Sequence, residues 1–175
     1  MIDYLQNENI KDLFKNNFLK IRKSTETLAS LLPDEFCNIE NNELITYVKN
    51  NEEIIEETRN EIKENHIIAR NLIPIGFKDD KLIYNEWLIP EDIWKKNYNT
   101  SVDTKFRPYK KNNIIKAILI DENVLKILGS KDLNKVKIKV DWNDTGMFVF
   151  KNGYLTDQGY GIEVNEFNKT YEIIF

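Results

Sequence analysis

The side chains able to do covalent chemistry here are few in kind. The sequence holds one cysteine, Cys37, and one histidine, His66. A papain-like pair would need the two in contact, with the imidazole drawing the proton from the thiol. No nucleophile motif supports that, and a small core cysteine with a satisfied or exposed histidine is the expectation. The same pair is too few for a structural zinc site, and a single cysteine excludes an internal disulfide. G-x-S-x-G is absent. The six glycines, at 76, 129, 146, 153, 159 and 161, form neither G-x-x-x-x-G-K-[ST] nor G-x-G-x-x-G. No phosphate cradle and no cofactor follow.

Carboxylates are abundant, so a metal centre has to be weighed. Asp141-Trp142-Asn143-Asp144-Thr145-Gly146 begins like a calcium loop. Its twelfth position is Asn152, where an EF-hand needs a bidentate Glu, so a hairpin turn is expected instead. A metal-dependent nuclease would need an Asp and a Glu-x-Lys on adjacent strand ends, converging on Mg²⁺ and an attacking water. The one Glu-x-Lys, Glu61-Ile62-Lys63, falls where a helix is expected, and Asp121 is explained as a helix cap. No catalytic or metal-ligating residue is therefore assigned.

Binding is the chemistry that remains. Lys105-Phe106-Arg107-Pro108-Tyr109-Lys110-Lys111 interleaves four cations with two aromatics. Such a segment can meet phosphates and stack on bases, or fork Arg107 onto a partner's carboxylates. Opposite in sign stand Glu52, Glu53, Glu56, Glu57, Glu61 and Glu64. On a helix these would form a negative strip able to dock into a basic groove of a protein partner. These twelve residues are the candidate partner-binding set.

The elements expected to position them come from apolar spacing. Ile10, Leu13, Phe14, Ile21, Leu28, Leu31 and Leu32 predict a helix over about 8–32, stopped by Pro33. Leu44, Val48, Ile55, Ile62 and Ala69 keep a near-heptad spacing, predicting one long helix over 42–70. That helix would pair with the first as a hairpin, and its seam offers a route to self-association. NLIPIGF and KLIYNEWLI then read as a hairpin about KDD. Pro90 opens a short helix through Tyr98, and 99–113 reads as an exposed loop.

Residues 114–120 predict a buried strand, and Asp121 to Leu128 a capped helix that Gly129 ends. KVKIKVDW alternates, with Val136, Ile138, Val140 and Trp142 on one face. NDTG and Asn152-Gly153 are hairpin turns, and YLT, IEV and TYEIIF are further strands. The expected fold class is α+β: an N-terminal helical hairpin with one long helix, packed beside a mostly antiparallel C-terminal sheet. The expected portions are helical 1–70, a hairpin, short helix and basic loop over 71–112, and β-rich 113–175.

Composition bounds the function. The chain has 175 residues and a net charge of −4, too acidic overall for a generic nucleic-acid binder. Asn, Ile and Lys number 23, 24 and 21 against three Ala, a bias toward A/T-rich codons that points to a low-GC genome. No apolar run is long enough to span a bilayer, and the start, MIDYLQNENIKDLFKNN, is not that of a signal peptide. A cytoplasmic location with no membrane partner is expected. The leading expectation is a non-enzymatic protein-binding accessory or inhibitor protein of a low-GC bacterium or phage. It would block a basic nucleic-acid-binding or nuclease partner, as anti-defence and immunity proteins do. The alternatives are a nucleic-acid-binding module working through 105–111 and a metal-dependent hydrolase without a familiar motif.

Overall fold

Asparagine and aspartate, more than glycine, turn this chain. At Asn41-Asn42, Asn51-Glu52 and Asp79-Asp80 both central residues have positive φ, as two-residue type I′ hairpin turns require. Short polar Asn and Asp tolerate that region by bonding their own backbone. A computed structural model of the protein describes every residue except Leu32, Asp34, Asn99 and Asn112. Those four fall in the expected first helix, just after the Pro33 expected to stop it, and in the expected 99–113 loop, and lie outside the described residues.

The first half, in chain order, is a 3-10 turn (Tyr4–Gln6), α1 (Glu8–Asn16), β1 (Leu19–Lys23), β2 (Thr27–Ser30), β3 (Ile39–Glu40), β4 (Glu43–Asn50), β5 (Glu53–Glu61) and β6 (His66–Asn71). Next come β7 (Gly76–Lys78), β8 (Lys81–Ile83), β9 (Glu86–Pro90), α2 (Glu91–Tyr98) and β10 (Arg107–Tyr109). The last third holds β11 (Ile114–Leu119), α3 (Glu122–Ile127), β12 (Lys135–Val140), β13 (Asn143–Phe150), β14 (Tyr154–Thr156), β15 (Gly161–Ile162), α4 (Val164–Thr170) and β16 (Tyr171–Ile174). Among the described residues no helix is long and apolar enough to cross a membrane.

The chain is thus mostly β, with short helices and several small sheets. The expected N-terminal helical hairpin with its long helix does not form. Asn7 caps α1 by accepting the amides of Asn9 and Ile10, but Asn17 leaves helical geometry at φ −137° and the helix stops. Ile21, Leu28 and Leu31, read as a helical stripe, lie in or beside strands. The expected 42–70 helix is β4, β5 and β6. LITYV, EIIEET and HIIA are rich in β-branched side chains, which pack well on a pleated surface. With no helix there, the seam expected to support self-association has no physical counterpart.

Two compact units emerge, one of residues 1–22 and 114–175, the other of residues 23–113. In the first unit a sheet of order β15-β14-β11-β1-β16 accompanies the β12–β13 ribbon. Tyr4, Ile10, Ile120, Leu125, Ile138 and Leu155 form its main core. The Tyr4 hydroxyl donates to the Thr156 carbonyl at 2.6 Å, which makes burial of that phenol tolerable. Asp121 caps α3 by accepting the Val124 amide at 2.8 Å, and Gly129 ends it at φ +81°. Trp142, expected on one face of a strand with Val136, Ile138 and Val140, sits instead in the Asp141–Trp142 turn, immediately before the expected NDTG corner, whose four residues begin β13. Between YLT and the last strand, α4 was not expected.

The second unit has a sheet of order β10-β2-β6-β9, a sheet β3-β4-β5 and the separate β7–β8 hairpin. Ala29, Ile67, Ala69, Ile89 and Trp94 form one core cluster; Cys37, Leu44 and Ile68 form another. Trp94 stacks on Tyr98 at 3.9 Å and meets Tyr109 edge-on at 5.0 Å, so α2 is pinned to β10. β10 itself lies inside the stretch expected to be loop, pairing Arg107, Pro108 and Tyr109 with Ala29, Leu28 and Thr27.

Candidate functional site

Strand pairing, not helical phase, decides which acidic side chains meet. β4 and β5 pair with Glu43 opposite Glu61, Ile45 opposite Arg59 and Tyr47 opposite Glu56. β3 adds Glu40 opposite Glu43. Leu44, Thr46 and Val48 alternate with these and are buried. Of the first set Ile45 is buried as well, while Glu43, Tyr47 and Arg59 are partly exposed and Glu40, Glu56 and Glu61 exposed, so the polar members face outward around a covered Ile45. The register shifts between Thr46, opposite Thr58, and Tyr47, opposite Glu56, which makes a bulge at Glu57. The bulge turns Glu57 and Thr58 inward together, each under a tenth exposed.

The outward face is therefore Glu40, Glu43, Glu56 and Glu61 around Tyr47 and Arg59. Arg59 is ion-paired with Glu56 and reaches Glu40 at 3.8 Å. The hydrogen bond to Glu56 holds its guanidinium charge firmly, raising its pKa. The Tyr47 phenol is pushed up by burial and then by Glu56, so it stays neutral. Of the expected set, Glu56 and Glu61 belong to this face. Glu52 occupies the β4–β5 turn, Glu53 starts β5, and Glu64 lies in the turn before β6, all exposed. Glu57 points into the unit. Glu40 and Glu43 were missed, because only the hairpins bring them alongside.

The basic segment is built differently from its expected form. Phe106 lies on the Arg70 guanidinium at 4.2 Å and Tyr109 packs on Trp94, so both rings serve the unit's own packing. Arg107 donates to Asp103 at 2.5 Å, and the Lys105 amide donates to the same carboxylate at 2.9 Å. Together they hold Asp103 below the usual carboxylate range. Lys105 and Lys110 are exposed; Lys111 is half-buried, and desolvation lowers its ammonium pKa. Pro33, Glu35, Thr104, Lys105, Phe106 and Arg107 line a shallow cleft of about 360 Å³.

Beneath that cleft lies a polar cluster that sequence reasoning did not find. Arg70 on β6 and Glu86 on β9 are direct cross-strand partners. Arg70 donates to Glu86 through Nε at 2.9 Å and Nη2 at 2.5 Å, and to the Phe36 carbonyl at 2.6 Å. Its guanidinium is sandwiched between Tyr84 at 4.3 Å and Phe106 at 4.2 Å. Glu86, only 1% exposed, also accepts the Asn38 amide at 2.7 Å. Burial raises the Glu86 carboxyl, while the Asn38 amide and Arg70 pull it back. The Cys37 thiol beside them is pushed up to about 12, first by burial and then by Glu86. A thiol so hard to ionise is a poor nucleophile. The signal in the sequence was a lone charge inside each of two apolar runs, HIIARN and EWLIP.

His66 accepts the Lys63 amide through Nδ1 at 3.3 Å, and desolvation lowers its pKa. Among the described residues no group of three or more His, Cys, Asp or Glu is arranged to hold a metal ion. Set against protein-family models, curated proteins and solved structures, the chain matches none.

Proposed function

We propose that this is a protein-binding accessory or inhibitor protein that works without chemistry of its own. It engages a basic surface of a partner, such as a nucleic-acid-binding groove, through the outer face of the β3-β4-β5 sheet. One observation carries the reading: Glu40, Glu43, Glu56 and Glu61 share an outward face with Arg59 as the cation between them. The charge distribution supports it. Residues 23–113 hold 13 basic and 17 acidic groups, so this unit carries the full net charge of −4 while the other is neutral. Within it, residues 35–64 hold nine acidic groups against three basic ones.

A rigid hairpin displays those charges at fixed spacing, without the ordering cost of a flexible acidic tail. Charge of this kind speeds encounter and selects partners by sign, and its effect is screened by salt. The proposal places the protein in the cytoplasm, in keeping with its one cysteine being a free, buried thiol. The test is affinity capture of the tagged protein from host lysate, with and without nuclease. A stoichiometric protein partner that survives nuclease and leaves at high salt is the expected result. Capture that vanishes on nuclease treatment would replace this reading with direct nucleic-acid binding.

A further inference from the structure

The β12–β13 ribbon of the other unit carries a charge pattern with a different use. Val136, Ile138 and Val140 point into or against the core, which sends Lys135, Lys137 and Lys139 to the outer face. At roughly 3.4 Å per residue, Lys135 and Lys137 start roughly 6.8 Å apart on the strand, and Lys139 follows them on the same face at a register shift between Ile138 and Val140. Across the ribbon, Lys135 faces Phe150 and Lys137 faces Phe148. The Lys135 and Lys137 ammoniums stand 5.0 and 4.8 Å from the centre of the same Phe148 ring. Among the described residues none of the three ammonium groups is ion-paired; the Asp132 carboxylate accepts the Lys135 backbone amide at 3.2 Å.

Two like charges gathered over one ring repel each other, and an anion placed between them removes that cost. Phe148 acts as an organiser: its negative face holds the cations in place before any ligand arrives. At the end of the row, Trp142 projects from the Asp141–Trp142 turn, 44% exposed. We infer that this ribbon face binds the backbone of an extended single-stranded nucleic acid, with phosphates on Lys135, Lys137 and Lys139 and a base stacked on Trp142.

The choice of a single strand follows from the geometry. The cations follow one strand, matched to one line of phosphates. A single strand also leaves its bases free to stack, which a π-face such as Trp142 rewards without regard to sequence. The inference is independent of the acidic face in the other unit.

Fluorescence anisotropy of labelled oligothymidylate and oligouridylate, each about 20 nucleotides, tests it on the full-length protein. Three phosphates neutralised on a single strand give a log–log salt slope of about −2, so affinity falls about 15- to 20-fold from about 50 to about 200 mM salt. Binding of either oligomer with that slope is expected, together with quenching of tryptophan fluorescence that Trp142→Phe abolishes. The triple variant K135E/K137E/K139E should bind at least about 10-fold more weakly. The neutral set K135Q/K137Q/K139Q, which removes the charges and keeps polar side chains one atom shorter, should flatten the salt slope with unchanged circular dichroism. Three results would overturn the inference: no binding at the lower salt, equal binding of a duplex, or loss of binding on reversing Lys105, Arg107 and Lys110 instead.

Discussion

Replacing Arg70 by Met is the perturbation whose cost can be worked most fully from the structure. Met matches much of the Arg stem's volume but removes both guanidinium bonds to Glu86, the bond to the Phe36 carbonyl and the stack between Tyr84 and Phe106. Glu86 would then be a carboxylate 1% exposed, held by the Asn38 amide and the weak Cys37 thiol donor. Breaking a buried pair by removing one partner costs about 3–5 kcal/mol, because an uncompensated charge is left behind. The double variant Arg70→Met with Glu86→Leu removes both charges, so it should lose clearly less than the two single losses added together.

The deficit also depends on pH, with a definite sign. Burial already raises the Glu86 carboxyl, and losing Arg70 raises it further. A carboxyl whose folded pKa lies above its unfolded value contributes most stability in acid and loses it as pH rises through the folded value. The Arg70→Met deficit should therefore shrink as pH falls toward the ordinary carboxylate range. Urea unfolding followed by tryptophan fluorescence reads this directly, since Trp87 and Trp94 lie in the same unit as the pair. A loss below about 1 kcal/mol, singles that simply add, or a deficit independent of pH would refute the reasoning.

Two further predictions test smaller parts of the account. Glu52 sits at φ +66° in the β4–β5 turn, where a residue with a Cβ is strained; Glu52→Gly should stabilise the protein by about 1 kcal/mol in thermal unfolding. No gain would mean that the turn is not held in the left-handed region. Cys37, with its thiol pushed up to about 12, should resist a thiol-specific reagent at mildly alkaline pH in the folded protein and react fully in denaturant. Rapid labelling of the folded state would contradict its burial.

What could be read from the sequence, and what could not, divides along physical lines. Asp121 before α3, Gly129 after it and the alternation of KVKIKV are strong local signals, and each is realised. The chain also turns at Asn152-Gly153, but β13 and β14 on either side join different sheets and not the expected hairpin. Residues 42–70 misled because the inward positions Thr46, Thr58 and Asn60 are polar, which erased the period of two. What remained visible was Leu44, Val48, Ile55, Ile62 and Ala69, whose heptad spacing is a coincidence of three strands and their turns. The Glu57 bulge shifted the phase again within β5. The turns that would have broken the helix, Asn41-Asn42 and Asn51-Glu52, lack the glycine that makes such turns conspicuous. α4 escaped notice for a similar reason: its cap is Glu163, accepting the amides of Asn165 and Glu166, where Ser, Thr, Asp or Asn is usual.

The site was legible in composition and hidden in arrangement. An acidic middle segment was evident, but its grouping depended on an assumed 100° step per residue where the chain uses alternation. Glu40 and Glu43 join Glu56 and Glu61 only through strand register. Arg70 and Glu86 are 16 residues apart and meet for the same reason.

The most direct measurement of the central claim is quantitative capture from host lysate with the four outward carboxylates reversed, Glu40→Lys, Glu43→Lys, Glu56→Lys and Glu61→Lys. Circular dichroism of the variant should match that of the natural protein, since three of the four positions are exposed and Glu43 is partly so. The account predicts that a nuclease-resistant, salt-sensitive partner bound by the natural protein is lost from the variant. The same partner retained by the variant, with the same salt dependence, would contradict it.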